Sequence, residues 1–442
     1  MLTVQIGQCG NQVGRALLEK LATESPDGRI EDSAFFREAA PATSRVRRPS
    51  RQEQRRARAV LIDMEPKVVQ DCLQRPQDTW TYEASNTFTM QSGSGNNWAY
   101  GYSVHGAQHE DALMDLLRRE AERCDLLKGF LVLQSVAGGT GSGVGSFVTE
   151  QIADAYSSSL LLNTVVWPYQ SGEVIVQNYN AILTMASVAD VADGILVLQN
   201  DVANEICKRL LNMPRPSFDA INSVLATHLA SVFLPVHNKQ DGNTNSTRSS
   251  TEGDVIQEMC ERLCSHAGFK LLDIKTIPQM PHRSKEFSTH TWTGILKHLH
   301  QMQIANSPLE EGIDWQISLD GKSSRRSWRN TALGNLLILR GDDSDSCDVS
   351  AFRHPGMYAP WSLQPFECYV SKHRFNAYDK SATLVSNSKS LLPILTSTVD
   401  KAYHMFSHGA YTHQYSRHAV DDAFFQRAFL RMDQIVQNYQ SL

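Results

Sequence analysis

Along the first two hundred residues, short apolar runs alternate with longer stretches whose apolar positions recur at helical spacing. Leu2–Ile6, Arg58–Asp63, Phe130–Gln134, Asn163–Trp167 and Gly194–Leu198 read as strands, with Gly10–Thr23 and Glu110–Cys124 as helices between them. This alternation predicts an α/β fold with a parallel, doubly wound, Rossmann-like sheet, which takes ligands beyond the carboxyl ends of its strands. Past Asn200 come a helix, a turn at Pro214-Arg215-Pro216 and an apolar stretch, Phe218–Leu234, predicted to be a buried connecting helix. His237–Gly253, rich in Asn, Thr, Ser and Gly, reads as a surface loop. From Asp254 to Pro365 or beyond, mixed periods predict a second α/β domain. Phe425, Phe429, Met432, Val436 and Tyr439 set one apolar stripe on a terminal helix. The chain so divides into 1–199, 200–395 and 396–442.

One stretch narrows the chemistry. Ala137-Gly138-Gly139-Thr140-Gly141-Ser142-Gly143 joins a predicted strand to a predicted helix, Val144–Tyr156. Glycines leave backbone N–H groups unshielded, and the helix N-terminus adds partial positive charge, so the turn suits phosphate. A turn without a ligand accounts less well for five glycines at such a junction, because each weakens packing. The P-loop wants a lysine closing the glycine run, and none is near. The dinucleotide fingerprint wants Gly-x-Gly-x-x-Gly and a ribose-binding acid about twenty residues on. Here Gly139, Gly141, Gly143 and Gly145 alternate, and Ser157–Trp167 holds no acid.

Composition trims the alternatives. With 442 residues there is room for two or three domains, and a net charge of −5 exerts no general pull on nucleic acid or acidic membranes. Apolar runs such as Leu160–Val166 fall short of a bilayer span, and no signal peptide is expected ahead of Leu2–Ile6. Eight cysteines, with Cys260 and Cys264 the one close pair, suggest reduced cytosolic thiols. Two basic stretches, Arg45–Arg58 with seven arginines against Glu53, and Lys322–Arg329, read as solvated loops or docking points for an acidic partner.

Further motifs fall at strand ends. Gly7-Gln-Cys-Gly-Asn-Gln12 leads from strand to helix, and Ser92-Gly-Ser-Gly-Asn-Asn97 is a second glycine–amide loop. Asp63-Met-Glu-Pro66 sets two carboxylates where a phosphate would repel them unless a cation such as Mg²⁺ lay between. An ordinary turn or helix cap remains the alternative for each taken singly.

Together, and in this order, these motifs resemble the tubulin superfamily over nearly the whole chain. Asp63-Met-Glu-Pro-Lys67, Gly95–Gly106, Trp167-Pro-Tyr169, Gly172–Asn180 and Glu310–Asp314 are similar to its delta branch rather than to alpha, beta or gamma members. The resemblance implies a cytoskeletal subunit that binds GTP or GDP with Mg²⁺. It implies phosphate contacts from Gln8, Cys9, Ser94, Gly95, Asn96, Gly138, Gly139, Thr140, Gly141, Ser142 and Gly143, with Ser135 beside them. Asp63 and Glu65 would lie near the metal, Glu173 and Gln177 at the sugar, and Gln12, Asn200, Phe218 and Asn222 at the guanine. Phe218 reads equally as a core residue of a buried helix. The implied setting is cytoplasmic: the cytoskeleton, the centriole or basal body, and the cilium, through triplet microtubules. Implied partners are other tubulins (epsilon, or alpha and beta) and centriolar proteins, with no nucleic acid and no membrane. Departures are Gln177 where alpha and beta members carry glutamate, Ala137 in place of glycine, and an end at Val436–Leu442 without an acidic tail. Motor recruitment through such a tail is therefore not expected.

Hydrolysis in that family uses an acid supplied to a neighbouring subunit. Counting from Asp254 sets Gln257 at the matching place, and counting back from Leu263 sets Glu258 there; Glu258, supported by Asp254, is the preferred acid. A helix cap at Asp254 and a solvated Glu258 is the plain alternative. Rival functions are an NAD(P)-linked oxidoreductase on the same sheet type, and a metal-dependent hydrolase using His404 and His408, which lack an evident third ligand.

Overall fold

The structure, a computed structural model, describes residues 1–25, 34–38, 55–75, 79–172, 174–238, 252–281, 284, 290–319 and 329–442. They form two compact units, one of Met1–Asp193 with Asp400–Leu430, the other of Gly194–Val399 with Arg431–Leu442.

The first unit is built on β1 (Leu2–Ile6), α1 (Gly7–Glu24), β2 (Phe36–Arg37), β3 (Arg55–Ala57), β4 (Ala59–Asp63), α2 (Pro66–Gln74), β5 (Trp80–Thr81) and β6 (Thr87–Thr89). There follow α3 (Trp98–Tyr100), α4 (Glu110–Ala121), β7 (Gly129–Ser135), α5 (Gly145–Ala155), β8 (Leu160–Trp167) and α6 (Gln177–Val191). Its main strands lie in the order β8-β7-β1-β4-β6, all parallel. The predicted parallel sheet is therefore present. The order reverses at β1, whose neighbours are β4 and β7, and such a switch point opens a crevice at the carboxyl ends. Leu2, Val4 and Ile6 join Val60, Ile62, Phe130 and Val132 in a core closed by Leu113, Leu117, Val148 and Ile152. Thr3 and Gln5 alternate to the other face, where Gly14 of α1 gives room to the Gln5 side chain.

A small sheet of β2, β3 and β5 corrects the loop reading of Arg45–Arg58 at its end: Arg55–Ala57 is a strand. Arg56 donates to Thr81 Oγ1 and, at 3.2 Å, to the Tyr82 carbonyl. The fully buried Glu120 carboxylate accepts from Arg37, Asn86 and Arg123 at 3.0, 2.7 and 3.0 Å. That pairing is what lets a charge sit at zero exposure. Positions 45–54 and 322–328 lie outside the described residues, as do 239–251 of the predicted surface loop.

The second unit contains β9 (Gly194–Gln199), α7 (Asn200–Glu205), α8 (Phe218–Phe233), β10 (His237–Asn238), α9 (Glu252–Leu263), β11 (Leu271–Ile277), α10 (Trp292–Ile304), β12 (Ala332–Gly341), β13 (Phe366–Ser371) and β14 (Lys380–Ser388). Strand order is β10-β13-β12-β14-β11-β9, with parallel and antiparallel pairs mixed. The predicted connecting helix is α8, buried from Ile221 to Phe233 on most of its faces. Its end is held by the buried Arg340, which donates to the carbonyls of Ser231, Leu234 and Pro235. Three helices close the chain: α11 (Leu392–Ser407), α12 (Thr412–Ser416) and α13 (Asp422–Gln440). Phe425, Phe429, Met432, Val436 and Tyr439 are buried along α13, as their stripe predicts.

Candidate functional site

At the carboxyl ends of β1 and β7 the backbone itself makes the site. Gly7, at φ +72°, turns the chain within one residue, so α1 starts there and not at Gly10. A Cβ on Gly7 would stand 2.8 Å from the Gly141 nitrogen. One on Gly139 would stand 2.6 Å from the Ser94 carbonyl and 2.8 Å from the Asn97 nitrogen, and one on Gly143 would strike the Trp98 carbonyl. Three segments thus meet main chain to main chain, which only glycine permits. Thr140–Val144 and Gly101–Gly106 are wide π turns, a form concentrated at functional sites.

Gly95 and Gly138 face the other way. A Cβ on Gly138 would meet only Asn96 Oδ1, at 3.7 Å, and one on Gly95, at φ +56°, would meet nothing within 4 Å. Gln8, Gly95 and Asn96 are exposed, while Cys9, Gln12, Ser135, Gly138 and Thr140 are half-buried. The result is an open, uncharged cradle of backbone and amide groups. Burial pushes the Cys9 thiol up to about 12, so it presents S–H and no thiolate.

Behind the cradle, hydroxyls and amides fix the loops. Ser94 Oγ lies 3.1 Å from His105 Nδ1 and 3.1 Å from Thr140 Oγ1. Ser142 Oγ donates to the Gly138 carbonyl, and Ser135 Oγ accepts from the Ala137 N–H at 3.2 Å. Asn97 Oδ1 caps α3 through the N–H groups of Ala99 and Tyr100. Asn180, fully buried, donates from Nδ2 to the carbonyls of Asn96 and Ala137 at 2.8 and 2.6 Å. Sequence pattern does not mark Asn180 or His105, which lie within Gly172–Asn180 and Gly95–Gly106, because their partners are 43 to 235 and 11 residues away in the chain.

Asp63 ends β4 and is buried, whereas Glu65 is exposed and its carboxylate reaches the position a Gly93 Cβ would take. Burial, above all, raises the Asp63 carboxyl to about 6, opposed by hydrogen bonds from the Glu65 and Met64 backbone. Among the described residues no three His, Cys, Asp or Glu side chains gather as a metal cage. Two carboxylates suit Mg²⁺ that takes its other oxygens from phosphate and water, so the donor set fits that ion and no all-protein site.

The other sequence-derived positions are placed as follows. Gln177 opens α6, buried, its amide donating to the Tyr169 carbonyl at 2.9 Å. Glu173 lies outside the described residues. Asn200 begins α7 and is half-buried. Phe218 is the first residue of α8 and is 64% exposed, which overturns the core reading; Asn222, one turn on, is 7% exposed on the same helix face. On α9, Glu258 accepts a hydrogen bond from the Tyr369 hydroxyl, while Gln257 is exposed and donates to Glu261 at 2.7 Å. Asp254 lies in the first turn of α9, its side chain outside the described set. His404 and His408 are exposed, with rings 4.7 Å apart.

A parallel sheet with a glycine-built cradle at its switch point defines a nucleotide-binding class, and the comparisons narrow it. Residues 1–208 match the model of the Tubulin/FtsZ family GTPase domain. The chain belongs to the tubulin family. It is similar to the tubulin delta chains of Canis lupus familiaris, at 44% identity, Macaca fascicularis, at 43%, and Homo sapiens, at 42%. Each alignment spans all of this chain and all of the relative. Among the described residues no helix is long and apolar enough to cross a membrane.

Proposed function

We propose that this chain binds GTP and GDP with Mg²⁺ and serves as a cytoskeletal subunit of the centriole and basal body. There it would form or maintain triplet microtubules and so support cilia, in company with other tubulins. The observation that carries the nucleotide reading is the division of the glycines. Those at 7, 139 and 143 are needed for loop contact, while those at 95 and 138 leave a shell free of side chains on the open side. Backbone N–H groups of the 138–143 turn, with Gln8, Asn96 and Thr140, would bind phosphate oxygens. Asp63 and Glu65 would hold Mg²⁺, which supplies charge neutralisation when bound. Phe218 would stack on the base, with Gln12, Asn200 and Asn222 reading its edge, and Glu173 and Gln177 would meet the sugar.

Family membership supports this reading and the exposed Phe218 agrees with it, since a bulky ring left in water suits a stacking ligand. The test is to identify the nucleotide retained by the purified protein and compete it with GTP and ATP. GTP displacing far better than ATP is expected; equal competition overturns guanine selectivity. Loss of triplet microtubules on depletion from ciliated cells, restored by the intact chain, tests the cellular role.

A further inference from the structure

We infer that Asn180 and Tyr415 form a lock through which the seating of α12 sets the spacing of the two loops at the cradle, an inference that rests on the nucleotide reading above. Both residues are fully buried in the first unit. Asn180 Nδ2 joins the Asn96 and Ala137 carbonyls at 2.8 and 2.6 Å, one from each loop. Its Oδ1 accepts from the Trp98 N–H at 3.0 Å and from the Tyr415 hydroxyl at 2.6 Å. Two donors and two accepted bonds use the whole capacity of the amide, so its orientation is determined. Removing the Tyr415 hydroxyl leaves a buried carbonyl oxygen under-satisfied at the point where both loops are held.

Two more bonds run between the same segments. Asn97 Nδ2 donates to the Gln414 carbonyl at 2.9 Å, and the Tyr179 hydroxyl donates to the Ala410 carbonyl at 2.9 Å. The Tyr415 ring packs edge-on against Tyr179 and Phe425, with centroids 5.6 and 5.3 Å apart. Segment 410–415 is thus joined to the residues flanking the cradle, while His413 within it and Ser416 and Arg417 just after it are exposed. A ligand that needs the loops at this spacing stabilises the seated segment. By reciprocity, anything that lifts the segment weakens that ligand by the same factor. Asn180 is accordingly a positioning residue and Tyr415 its control.

The test uses the full chain and the Tyr415→Phe variant, which keeps the packed ring and deletes only the hydroxyl. Affinity and dissociation rate of GTP are measured alongside hydrogen exchange at 410–416 with and without GTP. Expected are GTP binding weaker by about three- to tenfold, from one lost hydrogen bond, and faster dissociation. GTP should slow exchange at 410–416 in the parent protein and do so less in the variant. Asn180→Ala should weaken binding at least as much, and adding Tyr415→Phe to it should weaken binding little further. A parent that binds GTP while the variant matches it, or while exchange at 410–416 ignores GTP, overturns the lock. A variant that only loses thermal stability, with parent-like GTP affinity, does the same. A folded parent that binds no guanine nucleotide overturns the underlying reading, and the lock falls with it.

Discussion

The Glu258 carboxylate on α9 accepts a hydrogen bond from the Tyr369 hydroxyl on β13, so the acid preferred for hydrolysis is engaged within its own unit. Gln257, its neighbour, points into solvent. Glutamine can orient water but cannot take its proton. If Glu258 is the acid presented to a neighbouring subunit, Glu258→Ala abolishes assembly-stimulated GTP hydrolysis and Gln257→Ala leaves it. The Tyr369 bond predicts a second effect: Glu258→Ala also lowers thermal stability by about 1–3 kcal/mol, since it strands the hydroxyl of a buried tyrosine. Phosphate release and melting curves on the two variants separate these roles. Assembly-stimulated hydrolysis lost in Gln257→Ala and retained in Glu258→Ala would reassign the position.

Asp63 yields a pH prediction. Its folded value of about 6 exceeds the ordinary 3.8, so the folded chain holds this proton more tightly than the unfolded chain. The contribution of Asp63 to ligand-free stability is therefore greatest below about pH 4, falls between about 4 and 6, and is flat above. The gap is worth on the order of 2–3 kcal/mol. Asp63→Asn should raise the ligand-free melting temperature at pH 7.5 and leave it little changed at pH 4. It should also weaken the dependence of GTP binding on Mg²⁺. A variant less stable than the parent at pH 7.5 would show that the carboxylate is compensated.

The two glycine classes should separate on substitution. Gly143→Ala drives a methyl into the Trp98 carbonyl and should cost several kcal/mol, on the order of other backbone-strain mutations, or prevent folding. Gly138→Ala meets only Asn96 Oδ1 at 3.7 Å and should fold with near-parent stability while binding GTP more weakly. Circular dichroism melts and nucleotide titration read the contrast; equal behaviour of the two variants would count against the cradle.

Phe218→Ala should change stability by less than about 1 kcal/mol, because the ring is already 64% exposed. GTP affinity should fall about tenfold through lost stacking. Asn222, 7% exposed, should cost both stability and affinity when replaced by Ala. Isothermal titration and melting curves distinguish them, and a Phe218→Ala variant with parent affinity would remove the ring from the base contact.

Much of this protein was determined by local pattern. Strands β4, β7, β8 and β9 were legible from their apolar runs, since a strand buried on both faces leaves a largely continuous hydrophobic signature, and β1 from the alternation of Leu2, Val4 and Ile6 with Thr3 and Gln5. The glycine turn after β7 was legible because a cluster of glycines between a strand and a helix stands out in the sequence whatever surrounds it. Tertiary structure alone decided which glycines touch: Gly139 against Ser94, Gly143 against Trp98, and Gly138 against open space are relations between segments. It also decided that Phe218 is exposed, although a run of apolar residues from Phe218 to Leu234 reads as buried throughout. The first residue of a helix projects past the surface that buries the rest, and periodicity does not mark where that surface ends. Asn180 lay beyond any sequence rule for the same reason. A buried amide is defined by the four groups that satisfy it, and its partners at 96, 98, 137 and 415 meet only in the folded chain.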